Sequence, residues 1–336
     1  MSDDDASDAI SDRITRIPLP LPLAELRSVN CYAIASTSGT TLIDPGWASP
    51  ETRDALSRGL SQIGTSIDEV SQILVTHSHW DHYSAAFAMS TRRDIPLAVG
   101  SGERHSIAAW VELDGAFPNQ VTLLERAGDP IRAREMYERP IAEFEQGIAY
   151  GDPTRYLDGG EGIDCGGVCL DVIATPGHTR GHLAFEDADG RFLFSGDHIL
   201  PRITPSIAYE RAPDRLALQS YLSSLRLIAD RPRTTLLPAH GAPGGSSGDR
   251  ALELIDHHRR RLATVAELVD DGCRTGLDIA RGMRWTRREQ TLDQLADDQQ
   301  WTAVLEAVAH AEVLVDEGRL RRENDRSIDR YLPAAS

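Results

Sequence analysis

The stretch "VTHSHWDHYS", Val75 to Ser84, places three histidines and an aspartate within six positions: His77, His79, Asp81 and His82. It begins inside the apolar run "QILV", which reads as a short buried strand, so the cluster is expected in the loop beyond that strand's end. A lone histidine is commonly just a satisfied polar side chain. Four ligand-type residues together ask whether the rest of the chain supplies partners for them.

Other segments do. "ATPGHTRGH" carries His178 and His182, "FSGDH" carries Asp197 and His198, and "LPAHG" carries His240. Each follows an apolar, strand-like run and stands beside a glycine, where the backbone must turn sharply and leave room for a ligand. Loops at strand ends are where α/β proteins build sites. Imidazole with carboxylate suits zinc or iron rather than calcium or magnesium. A metal site is therefore the reading of these residues.

The remaining chain divides by texture. "MSDDDASDAISD" and its neighbour, residues 1–13, read as a disordered acidic tail. "SVNCYAIAS" and "TTLIDPG" read as strands around the turn "TSG". "SPETRDALSRGLSQIG" has Ser49 as N-cap and Pro50 at the first helical position, so it is predicted to be a helix. "IPLAVG", "LDVIAT", "LAFED", "RFLFSGD" and "TTLLPAH" are further strands, and "DRLALQSYLSSLRLIAD" is a helix. Residues 125–162 mix charge, aromatics and turn formers and are expected to supply helices and a loop that cover a site. Strands and helices alternating in both halves predict an α/β protein with two sheets flanked by helices. After the break "GAPGGSSGD", residues 250–336 become mostly helical, with apolar positions at 252, 255, 262, 265 and 269, and close on a hairpin. That part is expected to be a smaller, winged-helix-like domain beside a catalytic domain over 14–245.

Composition narrows the partners. With 336 residues and a net charge of −17, the chain has a surface poorly suited to phosphate backbones, which argues against nucleic acid. The four cysteines, at 31, 165, 169 and 273, form no paired ligand spacing and read as reduced thiols. The N-terminus is the opposite of a signal peptide, and "IPLPLPLAEL" is too short and proline-broken to span a bilayer. A cytoplasmic, membrane-free protein is expected.

The ordered set "LIDPG", "THSHWDH", "TPGHTRGH", "FSGD" and "PAHG" resembles the metallo-β-lactamase superfamily. The resemblance implies an αββα sandwich whose two sheets bring the loops to one edge. It implies that His77, His79 and His178 hold one metal, that Asp81, His82 and His240 hold a second, and that Asp197 bridges both. Two Zn(II) per chain are the implied cofactors, with iron or manganese as alternatives. Two such cations about 3.5–4 Å apart lower the pKa of a shared water and polarise a carbonyl. Asp81 would also orient the resulting hydroxide and manage a proton. Asp44, in "LIDPG", would support the ligand loop from behind. His182 would take a supporting or structural place, and His198 could face the pocket.

One departure stands out. The family usually has glycine two residues after the cluster's last histidine; here it is Ser84. The cluster lacks the glutamate of flavodiiron relatives, and no β-CASP-like insertion is present. "HHRRRLATV" and the helices after it resemble the winged-helix tail of the branch containing hydroxyacylglutathione-hydrolase-like enzymes. Such a tail can shape the pocket or make a homodimer contact. "HILPRITPSIAYE" makes a stiff wall beside the metals, where Tyr209 either donates to an oxyanion or simply packs.

These features imply a metal-dependent hydrolase of a small-molecule ester, thioester, lactone or amide, with a thioester first. β-Lactam hydrolysis would be a side activity. The alternatives are a phosphodiesterase or ribonuclease, a mononuclear iron dioxygenase of sulfur compounds, and a non-enzymatic DNA-binding regulator.

Overall fold

The computed structural model describes residues 7–23, 26–207 and 209–334. A first sheet contains β1 (Asp8–Ala9), β2 (Ile14–Pro20), β3 (Ser28–Ser36), β4 (Gly39–Ile43), β5 (Val70–Leu74), β6 (Leu97–Gly100) and β7 (Arg155–Leu157) in chain order. Its first four strands run antiparallel and the rest are added in parallel. A second sheet has the order β12 (Thr235–Pro238), β11 (Phe192–Gly196), β10 (Leu183–Asp187), β9 (Cys169–Ala174) and β8 (Gly162–Asp164). Only its β11–β12 pair is parallel.

Nine helices occur among the described residues. They are α1 (Pro50–Gln62), α2 (Trp80–Arg93), α3 (Glu103–Glu112), α4 (Pro118–Arg126), α5 (Pro130–Glu138), α6 (Ala217–Ala229), α7 (Ser247–Asp270), α8 (Gly276–Gly282) and α9 (Asp297–Asp316). The hairpin of β13 (Leu320–Asp325) and β14 (Ile328–Pro333) follows. No described helix is long and apolar enough to cross a membrane.

Strand alternation decides the layering. In β3, Val29, Cys31 and Ala33 point to the helices α1 and α2, while Tyr32 and Ile34 point to the other sheet. In the second sheet, Leu170, Val172, Phe185, Phe194 and Leu237 meet that inner face, and Ile173, Ala184, Leu193 and Leu236 face outward. Because both sheets are apolar on both faces, each needs helices outside it, and the result is the αββα sandwich.

The outward face of the second sheet belongs to one cluster of buried side chains that runs from Leu124 through α6 to Val265, Leu314 and Tyr331. The helices after residue 245 are thus packed on α4, α5 and α6 through a shared core.

Local detail departs from expectation in three places. The N-terminal tail is not wholly disordered, since Asp8–Ala9 pairs with Thr15 and Arg16; residues 1–6 of that tail lie outside the described residues. The strand β2 arises from the proline-broken "ITRIPLP". Its partner β1 stops at Arg16, so Pro18 and Pro20 sit where that edge carries no further β1 pairing and a missing N–H costs nothing. In α7 the predicted stripe holds at Leu262, Val265 and Val269, but at its start Leu252 is exposed and Ala251, Leu254 and His258 are buried.

Candidate metal centre

The first ligand loop leaves the end of β5, but only half of it is loop. His77 and His79 lie in the extended segment, with His79 as N-cap of α2, while Asp81 and His82 occupy the first helical turn. An acidic residue is favoured there by the helix dipole. The other ligand-type residues follow β9 (His178), β11 (Asp197) and β12 (His240). All seven converge at one edge of the sandwich.

Their ligand atoms fall into three compact sets, each within 4.8 Å: His77 with His79 and His178, Asp81 with His82 and His240, and His77 with His82 and Asp197 between them. His79 Nδ1 lies 2.9 Å from His77 Nε2 and 3.0 Å from His178 Nε2. His240 Nε2 is 3.4 Å from both Asp81 Oδ2 and Asp197 Oδ1, and His178 Nε2 is 3.6 Å from Asp197 Oδ2.

The outward ring nitrogens fix the tautomers. His178 Nδ1 donates to the Ser206 carbonyl at 2.7 Å and His240 Nδ1 to the Ser28 carbonyl at 2.9 Å. His82 Nδ1 donates to Asp44 at 3.0 Å. Thr76 Oγ1 donates to Asp44 at 2.8 Å and so receives His77 Nδ1–H at 3.1 Å. Four Nε2 lone pairs therefore point inward. At most one proton can be shared among His77, His79 and His178, and His82 Nε2, His240 Nε2 and Asp197 Oδ1 are buried without a hydrogen-bond partner. A donor set of converging lone pairs, with four of its five imidazoles anchored through the outer nitrogen, is what a divalent cation needs, so these residues fit one.

Charge is distributed accordingly. Burial opposes charge on both Asp81 and His82, yet the cluster overrides it. His82 and His240 hold the Asp81 carboxyl well below the usual carboxylate range. Asp81, Asp44 and Asp197 push the His82 imidazole up to about 10. Burial and the neighbouring imidazoles of His82 and His79 lower His77 well below its ordinary value.

The supporting residues sort themselves by contact. Asp44, with φ 52°, accepts the Thr76 amide at 2.8 Å as well as His82 and the Thr76 hydroxyl. Such a left-handed backbone is uncommon for a non-glycine residue and stands where the chain leaves β4. His182 is outside all three sets. Its Nε2 accepts the Asp197 amide at 3.2 Å and its Nδ1 meets Thr175 Oγ1 at 2.8 Å, so it positions Asp197 through the backbone.

His198 stands outside the three sets, its ring buried 6.0 Å from His182 and 5.2 Å from Tyr221. The Tyr209 ring meets Trp301 edge-on at 5.1 Å and Phe117 edge-on at 6.0 Å. Ser84 Oγ donates to the Trp80 carbonyl and receives the Ala48 amide at 2.9 Å, tying α2 to the loop after β4.

Sequence reading missed Glu103. Fully buried at the start of α3, it receives the Ser78 amide and hydroxyl, the Thr179 hydroxyl and the Gly181 amide. It clamps the His77–His79 loop to the His178 loop. Nothing in "SGERHS" signals this, because all its partners are distant in sequence or backbone groups. Glycine permits the close approach elsewhere: a Cβ on Gly177, at φ 146°, would stand 2.4 Å from Tyr221 Cα of α6.

Residues 24–240, more than half of the chain, match the family described as the metallo-beta-lactamase superfamily. The probable metallo-hydrolase YqjP of Bacillus subtilis is 24% identical over 304 residues, 89% of this chain and 90% of that protein. The atrochrysone carboxyl ACP thioesterase of Aspergillus fumigatus is 24% identical over 262 residues, 78% of this chain and 49% of that protein.

Among solved structures, a metallo-beta-lactamase family protein from Thermus thermophilus superposes with a TM-score of 0.76 at 25% identity, covering 97% of this chain and 100% of that one. A beta-lactamase domain protein from Burkholderia ambifaria gives 0.81 at 24% identity, covering 99% and 96%, and shares the fold. With the motif residues gathered at one sheet edge and this match over most of its length, the chain belongs to the metallo-β-lactamase superfamily and is a metal-dependent hydrolase of that group.

Proposed function

We propose that the protein is a dinuclear zinc hydrolase of thioesters. The observation that carries this reading is the arrangement of two ligand sets joined by a third, His77 with His82 and Asp197, which fits two cations better than one. In this reading His77, His79 and His178 hold the first, Asp81, His82 and His240 the second, and Asp197 both. Two cations so placed would acidify a water and polarise the substrate carbonyl. Asp81, its carboxyl held ionised beside His240, orients the attacking water and takes its proton. Asp44 and the Ser28 and Ser206 carbonyls keep the imidazoles aimed, so little reorganisation accompanies the reaction.

The thioester preference is supported by the thioesterase among the relatives. A small-molecule rather than nucleic-acid substrate is supported by the basic run of α7, whose three arginines are each engaged by a carboxylate of the chain itself. Arg259 and Arg260 pair with Asp256, and Arg261 pairs with Glu306 at 2.9 Å and covers the Trp285 ring at 4.3 Å. In this reading the C-terminal winged-helix-like segment, a domain over 250–336, shapes the substrate side through Trp301, and the protein works in the cytoplasm.

Elemental analysis with hydrolysis assays tests the proposal. Two zincs per chain and turnover of thioesters, both lost in His77→Ala and Asp197→Ala with circular dichroism unchanged, is the expected result. A single bound iron, or hydrolysis that survives loss of metal, would overturn it.

A further inference from the structure

A cavity of about 480 Å³ opens between the end of α3 and the segment 141–150, flanked by Arg211. Its wall is a stack. The Arg211 guanidinium lies 4.5 Å over the Trp110 ring, Trp110 lies parallel to Tyr150 at 4.7 Å, and Tyr150 is 5.9 Å from Tyr83. Tyr83 is two residues beyond Asp81 on α2. On the other side of that aspartate, Trp80 packs at 4.7 Å on Phe144, next to Glu145 of the cavity lining. The ligand-bearing turn of α2 therefore carries both flanks of the cavity.

Arg211 is 4% exposed and forms no ion pair with any described residue. Its Nη2 donates to the carbonyls of Leu113 and Gly115, at 2.5 and 2.7 Å, which fixes the side chain without neutralising it. Its Nε is buried without a hydrogen-bond partner, and so is the Tyr150 hydroxyl. A buried guanidinium outside ion-pair distance of any described carboxylate costs free energy, even with Glu145 and Asp114 favouring its charge from farther off, and so do two buried donors without acceptors. Two carboxylates also line the cavity. Asp114 is exposed and solvated at the rim. Burial, opposed by Arg211 and aided by Asp81, raises Glu145 above the usual carboxylate range.

We propose that this cavity seats a carboxylate carried by the substrate at a distance from the scissile carbonyl, received by Arg211 Nε and the Tyr150 hydroxyl beside the edge of the Trp110 ring. The substrates are then acidic: monothioesters of dicarboxylic acids rather than simple acyl chains. Arg–carboxylate hydrogen bonds have the strength and planarity for such discrimination. The inference rests on the thioester-hydrolase reading for its substrate, but not for its binding site.

Two measurements on the zinc-loaded full chain separate the two. The first compares kcat/KM for the glutaryl thioester of N-acetylcysteamine with that of its terminal-amide analogue. The expected preference for the acid is about tenfold or more, the scale of one charge-assisted hydrogen bond. In Arg211→Gln and in Tyr150→Phe, which keeps the ring stack, the ratio falls towards one. Equal rates on both thioesters in the wild type would overturn the pocket and leave the hydrolase. The second follows tryptophan fluorescence on titration with the N-ethyl monoamide of glutaric acid, which has no scissile bond. Saturable quenching that is lost in Tyr150→Phe supports the pocket even if neither thioester is hydrolysed. No quenching in the wild type overturns it whatever the activity.

Discussion

A single carboxylate, Asp44, joins three parts of the centre: it receives His82 Nδ1 at 3.0 Å and the amide and hydroxyl of Thr76, each at 2.8 Å. Asp44→Asn keeps the shape but replaces one acceptor oxygen by a donor and removes the charge that favours the outward proton on His82. Outer partners of this kind are worth about 10- to 100-fold in metal affinity. The variant is expected to retain its fold by circular dichroism yet lose zinc on dialysis that wild type survives; equal zinc retention would sink the idea.

The sign of the pH dependence follows from the same residue. Burial opposes it, but Asp81 and Asp44 raise His82 to about 10, so in the metal-free protein its protonated form stabilises the fold. That contribution is complete below the ordinary histidine value and is lost as pH rises through about 10. A cation must displace this proton, so zinc affinity measured by competition is expected to rise from about pH 6.5 towards 10.

At this scale the sequence pointed to the converging residues and, by resemblance, to Asp44 and His182 behind them, but not to Glu103. His178, Asp197 and His240 each announce themselves by following an apolar strand beside a glycine, and His77 by opening a cluster of four ligand-type residues after one. Glu103 does not, since a clamp between two loops is defined by the backbone groups it meets and not by its neighbours in sequence.

Among the elements, the pairing of α7 with α9 carries an unusual polar contact. His258 Nδ1 donates to His310 Nε2 at 3.1 Å, and His310 Nδ1 donates to the Glu306 carbonyl at 2.7 Å. Both rings are buried, with Tyr221, His257, Glu306 and Arg261 around them. Burial, then Arg261, lowers His310 to about 3, and burial with His310 lowers His258 well below its ordinary value. The unfolded chain takes up these protons below about pH 6.5 and the folded one does not, so stability is lost as pH falls through that window. The slope is at most about 1.4 kcal/mol per pH unit for each histidine. Urea unfolding at about pH 5 and about pH 7.5 is expected to show a drop in wild type that is smaller, by about 1–2 kcal/mol, in His310→Gln. An identical drop in both proteins would exclude the pair as its source.

This contact also shows why element boundaries were harder to read than element types. α7 was recognisable by its apolar period, and Leu262, Val265 and Val269 kept its phase, but its first turns were not, because the buried face there includes a histidine while Leu252 lies outside. The helix α2 was hidden for a related reason: its first turn is given over to ligands, so its start looked like loop. Where strands were bounded by turn residues, as in "LAFEDADGRFLF", both their existence and their antiparallel pairing matched the pattern.

For the whole molecule, what holds the layers in place is distributed unevenly. The inner faces of the sheets meet through Tyr32, Phe185 and Phe194, whose burial contributes about 1.5–3 kcal/mol per large side chain. The outer helices of the second sheet share one core with the C-terminal segment, a long-range arrangement that local sequence texture does not encode.

Four of the seven converging residues, His77 to His82, hang from the first sheet and three, His178, Asp197 and His240, from the second. An occupied centre is therefore a rivet through the sandwich. It joins points far apart along the chain and, by binding the folded state in preference to the unfolded one, steadies a protein whose cysteines are all unpaired. At about a hundredfold excess of free zinc over its Kd the rivet is worth about 2.7 kcal/mol. Chelation is then expected to lower Tm and to speed amide exchange in β5 and β12 together, since drawing the rivet frees both plates at once.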